Sequence, residues 1–171
     1  MMKDISLKGI GILVIVGLFT FGAAFGVDHV MVEYGQVNPL EQLLKTNEGV
    51  KSYDIQTSKE EIKLHLELQD NVNLKQLYVE VLNQATDHSK GKEVKITFEN
   101  APEEVFQGVL FEIEPFLYEG LVTGNYTWMI DQVDMRSANH GFRAKLQLDD
   151  KALYLVVSKD DQRYYQIIPR V

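Results

Sequence analysis

No cysteine occurs in the 171 residues, so disulfides, thiolate-ligated zinc, iron–sulfur clusters and thiol catalysis are all excluded. Proline is scarce, with only Pro39, Pro102, Pro115 and Pro169, and no segment is of low complexity. A long disordered spacer is therefore not expected. Cations are also in deficit. Beyond residue 27, 15 Lys and Arg stand against 24 Asp and Glu. An acidic chain without a basic stripe is a poor partner for DNA, RNA or an anionic lipid surface, and no nucleic-acid partner is expected.

Catalytic signatures are missing as well. No serine lies in a GxSxG setting, and there is no Walker loop and no GxGxxG. His29, His65, His88 and His140 are too far apart in sequence to form a helical ligand pair. Glu112 and Glu114 sit about 200° apart on a helix, so they do not converge with Glu119 on one acid–base or calcium site. Asp149-Asp150 and Asp160-Asp161 have the character of hairpin turns, where aspartate satisfies backbone amides. No catalytic, cofactor or metal residue is assigned, and no cofactor is expected.

What the chain does have is one long apolar run. Residues 9–27, GIGILVIVGLFTFGAAFGV, carry no charge and are bounded by Lys8 and Asp28. At about 1.5 Å per residue, a helix of this length just crosses the hydrocarbon layer of a bilayer. Lys3 and Lys8 precede the run, whereas Asp28 and Glu33 follow it. This bias keeps residues 1–8 cytoplasmic and exports the rest. A cleaved secretory signal ending near Ala24 is the competing reading, and the length of the run favours a retained anchor. Gly22 and Gly26 are spaced GxxxG, which presents a face where two membrane helices can pack. A disulfide-free exported domain suits a bacterial envelope better than a eukaryotic secretory setting.

After a juxtamembrane linker (28–38), residues 39–100 read as α-β-β-α-β. Ile62, Leu64, Leu66 and Leu68 alternate with polar residues as a half-buried strand, and Leu74, Leu77, Val81 and Ala85 recur at helical spacing. A cap for that helix is expected at Asp70 or Asn71. Residues 101–171 read as α-α-β-β-β. The first of these helices has Pro115 inside its stripe and is expected to kink or split there. The second, Tyr126 to Ala138, is expected to hold Trp128, Ile130 and Val133 partly buried. Leu153 to Val157 is apolar throughout, which predicts a central strand covered on both faces. The fold class is α+β, placed behind an N-terminal transmembrane helix.

The α-β-β-α-β order of residues 39–99 resembles two extracytoplasmic module types, the ring-building motif of secretion and sporulation channels and the BON-type domain. Both back a small sheet with two helices, and both imply assembly rather than catalysis. The C-terminal run LYEGLVTGNYTWMIDQV…LDDKALYLVVSKDDQRYYQIIPRV is similar to short single-pass membrane proteins of spore-forming Gram-positive bacteria, a likeness that implies no activity.

The expected function is a membrane-anchored, extracytoplasmic interaction or assembly protein, with a protein partner or further copies of itself. Its expected surface is the kinked segment from Phe111 to Trp128, with Phe111, Phe116, Tyr118, Tyr126 and Trp128 singled out, together with open sheet edges. The alternative is a small-ligand sensor or carrier with a groove lined by Tyr118, Tyr126, Trp128, Tyr154, Tyr164 and Tyr165.

Overall fold

Changes of hydrophobic period along the chain set its elements, which the computed structural model describes over residues 38–170. In order they are α1 (Asn38–Thr46), β1 (Val50–Thr57), β2 (Glu61–Leu68), α2 (Leu74–His88), β3 (Glu93–Phe98), α3 (Glu103–Thr123), α4 (Tyr126–Asn139), β4 (Arg143–Leu148), β5 (Ala152–Lys159) and β6 (Gln162–Pro169). The fold is α+β with two small sheets. The apolar run 9–27, with Gly22 and Gly26, lies outside the described residues. Among the described residues no helix is long and apolar enough to cross a membrane.

The first sheet has the order β1-β2-β3. β1 pairs antiparallel with β2, placing Tyr53 opposite Leu66 and Ile55 opposite Leu64. β3 pairs parallel with β2, placing Ile96 beside Leu64. A parallel pair needs a crossover, and α2 supplies it. The alternation in β2 decides which face is covered. Ile62, Leu64, Leu66 and Leu68 are buried, whereas Lys63 and His65 face solvent. Leu40 and Leu44 of α1 and Leu74, Leu77, Val81 and Ala85 of α2 close that inner face. The outer face is polar, with Glu61 bonded to both Lys63 and Lys95 at 2.9 Å. Asn73, rather than Asp70 or Asn71, caps α2, its side chain accepting the Gln76 N–H at 3.1 Å. Asn71 instead adopts a left-handed φ of 61° in the preceding turn, a conformation asparagine tolerates better than most residues.

The second sheet is an antiparallel meander, β4-β5-β6. Its central strand is apolar on both sides because it serves two cores. Leu153, Leu155 and Val157 join Phe106, Val109, Ile113 and Leu117 of α3 and Met129 and Val133 of α4. Ala152 and Tyr154, pointing the other way, join the core of the first sheet. Tyr78 of α2 meets Tyr154 edge-on at 5.8 Å between ring centres. The layers therefore run sheet, helices, sheet, helices, with α2 between the two sheets.

Helix α3 is continuous across Pro115 and is not split. The missing proline N–H deprives the Phe111 carbonyl of its helical donor, but both residues lie on the exposed side, where water can replace the donor. In α4 the buried positions are Met129, Val133 and Ser137. Trp128 is half-buried, as expected, and Val133 is buried, whereas Ile130 is exposed and its neighbour Met129 enters the core. The two helices pack tightly at Gly120, where an added Cβ would lie 2.6 Å from the Met129 Cβ.

The segment joining the two halves covers part of a sheet edge. Ala101 N–H donates to the Arg163 carbonyl at 2.9 Å. The Asn100 side chain accepts from the Tyr165 N–H at 2.8 Å and donates to the Tyr165 carbonyl at 3.2 Å. The β6 edge is closed there to any partner strand.

Candidate functional site

Helix α3 carries five glutamates and no basic residue. Its buried stripe faces the second sheet, which leaves the opposite side to solvent. On that side Phe111 is 79%, Tyr118 53% and Val122 87% exposed. At about 100° per residue these three positions and Pro115 fall within roughly 60° of one another, so they form a ridge rather than scattered apolar residues.

The charges around the ridge are unevenly satisfied. Glu112 turns toward α4, where it lies 3.0 Å from His140 Nε2 and 3.9 Å from Arg136. The Arg136 guanidinium also stacks 4.8 Å over the Phe116 ring. Arg136 and His140 are thus engaged along the α3–α4 seam. Glu114 and Glu119 are exposed and make no ion pair among the described residues. The result is an apolar ridge flanked by carboxylates without counterions.

The expected surface residues divide between this ridge and other places. Phe111 and Tyr118 stand on it. Phe116 and Trp128 lie in the seam and pack on each other at 5.5 Å. Tyr126 belongs to a different cluster, its hydroxyl accepting from Arg170 at 2.6 Å with the guanidinium 5.2 Å over its ring. Val122, the most exposed of the set, lies within the expected segment but is not singled out there. Its i+4 spacing from Tyr118 was the available signal.

The six aromatic residues proposed to line a groove are dispersed in the same way. Tyr154 and Tyr165 belong to the core of the first sheet and Tyr164 packs against the other. Tyr164 stacks on Phe106 at 5.8 Å, and Tyr165 on Phe98 at 5.8 Å. Burial, and then the Asp149 carboxylate that accepts its hydroxyl proton at 3.0 Å, raise the Tyr154 pKa and keep it a neutral donor.

Asp149 anchors the β4–β5 turn. Its Oδ1 accepts the N–H groups of Lys151 and Ala152, each at 2.9 Å. Burial alone would raise its pKa. The two turn amides, the Tyr154 hydroxyl and the Lys75 ammonium outweigh that and hold the carboxyl below its ordinary value. The same turn receives Arg170 on the Asp149 carbonyl and Lys75 on the Leu148 carbonyl at 3.1 Å. This cluster is structural. It ties α2, α4 and the end of β6 to one turn, and none of its polar groups is left for a substrate.

No group of acidic and histidine side chains suited to a metal ion occurs among the described residues. The chain matches no protein-family model, no curated protein and no solved structure.

Proposed function

We propose that the chain is a membrane-anchored interaction or assembly protein of a bacterial envelope, which docks a protein partner through the outer face of α3. In this reading residues 9–27 hold it in the cytoplasmic membrane with residues 1–8 inside, and the domain from residue 28 onward works outside. Gly22 and Gly26 offer a packing face within the bilayer. The observation that carries the docking face is the ridge of Phe111, Tyr118 and Val122 on a helix with five carboxylates and no cation. An apolar ridge rimmed by unpaired carboxylates is complementary to an apolar surface bordered by lysine or arginine. The partner is therefore a protein, or a protein helix, of that chemistry. The likeness of the α-β-β-α-β order to ring-building and BON-type modules supports an assembly role, and a ring of identical copies is the homo-oligomeric form of the same reading.

The test is crosslinking of the full-length protein in intact cells, followed by mass spectrometry, alongside a Phe111→Glu/Tyr118→Glu variant. The expected result is a defined partner whose crosslinked peptides carry basic residues beside apolar ones and which disappears with the variant. Only monomer, with the chain cleaved near Ala24, would sink the proposal.

A further inference from the structure

The register of the second sheet gathers cations that lie 20 residues apart in sequence. Arg143 and Arg163 both pair with Ser158, from opposite sides, so the three occupy one row across the sheet. Lys145 stands in the next row, opposite Val156. Because side chains alternate along strands, all of these positions lie on the sheet face shared with Tyr154. There a cleft of about 250 Å³ opens between the sheet and the Asn71–Val72 turn that precedes α2.

Four cations line this cleft, namely Arg143, Lys145, Lys159 and Arg163, against the single carboxylate of Asp160. Such a balance is unexpected in a chain of net charge −8. Lys159 is drawn off over the Phe142 ring, 4.9 Å from its centre. Arg163 is fixed in place. Its side chain is only 20% exposed and lies 3.0 Å from the carboxylate of Asp70, and it donates to the Asp161 carbonyl at 3.1 Å. Arg143 and Lys145 make no ion pair among the described residues. Like charges held together on a sheet repel, and nothing in the packing requires them there.

A second feature points at the same place. The first turn of α2 abuts the sheet beside Lys145. Lys75 N–H donates to the Gln147 side-chain oxygen at 3.4 Å, and an adjoining depression is lined by Asn73, Leu74, Lys145 and Gln147. The amino end of this 15-residue helix brings its partial positive charge to the rim of the cleft.

We infer that the cleft between the β4-β5-β6 sheet and the start of α2 binds a phosphate group carrying at least two negative charges, held by Arg143, Lys145 and Arg163. Arginine matches phosphate oxygens in a bidentate fashion, and lysine adds a point charge. The phosphate belongs either to a soluble small molecule or to a lipid headgroup at the membrane surface. The site lies on a different sheet face from that covered by α3 and does not depend on the docking proposal.

The experiment uses the full-length chain in non-ionic detergent and titrates it calorimetrically with inorganic pyrophosphate, and separately with dihexanoyl phosphatidic acid. The expected result is one saturable site with a dissociation constant below about 1 mM that persists at about 0.15 M salt. Arg143→Gln and Lys145→Gln should each weaken it roughly tenfold. Both residues are exposed, so unchanged melting of the variants will show that the fold is intact. Saturable binding of pyrophosphate alone assigns a soluble ligand, whereas stronger binding of phosphatidic acid, lost in the same variants, assigns a headgroup. Absence of saturable binding by both probes, or equal binding by the double variant, would overturn the inference.

Discussion

Gly120 shows how a single missing side chain fixes the packing of two helices. Its position lets α4 approach until Met129 lies where a Cβ would be, with the sulfur at 2.5 Å and the Met129 Cβ at 2.6 Å from that point. The sulfur can swing away, but the Cβ cannot move without the backbone. Gly120→Ala should therefore destabilise the protein by about 1–3 kcal/mol, measurable by denaturant unfolding. Asp149 is the other position where one residue matters out of proportion. Its carboxyl titrates below its ordinary value in the folded state. The stability it contributes is complete above the unfolded pKa of about 3.9 and is lost as pH falls through the lower folded value. Asp149→Asn should lower stability at neutral pH and flatten the acid limb of a plot of melting temperature against pH. An unchanged acid limb in the variant would show that other carboxylates control it.

Among the elements, α3 and β5 each have two sides with different duties. The inner side of α3 belongs to the core, while the outer ridge is exposed among the described residues. Phe111→Ala and Tyr118→Ala should therefore leave thermal stability within about 0.5 kcal/mol of the parent while abolishing partner crosslinks. A large loss of stability would mean that the ridge packs on the chain itself. β5 is covered on both sides from Ala152 to Leu155, and Leu155→Ala should cost about 2–5 kcal/mol in the same denaturant measurement. These two elements also show what sequence alone reveals. The unbroken apolar run Leu153–Val157 marked a strand covered twice, and the alternation of Ile62 to Leu68 marked one covered once. The period of each run is itself the record of burial. The helix does not split at Pro115, because the penalty of proline in a helix depends on which side it faces. On the solvent side the orphaned carbonyl is hydrated, so the helix continues. The exposure of Ile130 and the burial of its neighbour Met129 have a similar cause. Close approach at Gly120 decides which α4 residue enters the core, and that is a tertiary fact.

At the scale of the whole molecule, the two halves share a strand. Residues on opposite faces of β5 belong to different cores, the Asp149 turn clasps α2, α4 and Arg170, and the Asn100–Ala101 segment seals the β6 edge. The described residues should therefore unfold in one cooperative transition. Trp128, the only tryptophan, reports on the α3–α4 layer, and far-ultraviolet circular dichroism reports on all layers together. The two unfolding curves should coincide, whereas separate midpoints would show that the halves are independent. The phosphate cleft was illegible in the sequence for a reason of this scale. Its cations come from different strands, and only register and the placement of α2 bring them to one face. The docking ridge was partly legible, because Phe111 and Tyr118 share one helical face whatever the fold, whereas Tyr126 was removed from it by Arg170, a contact between residues 44 positions apart.

The docking face is the central claim, and position-resolved photocrosslinking in living cells tests it most directly. A photoreactive amino acid would be placed at Phe111, at Val122 and, as a control on the opposite side of the molecule, at Lys63 on the outer face of the first sheet. The account predicts one discrete adduct from Phe111 and Val122, sensitive to Glu114→Lys/Glu119→Lys, and none from Lys63. Equal adducts from all three positions, or adducts from Lys63 alone, would contradict it.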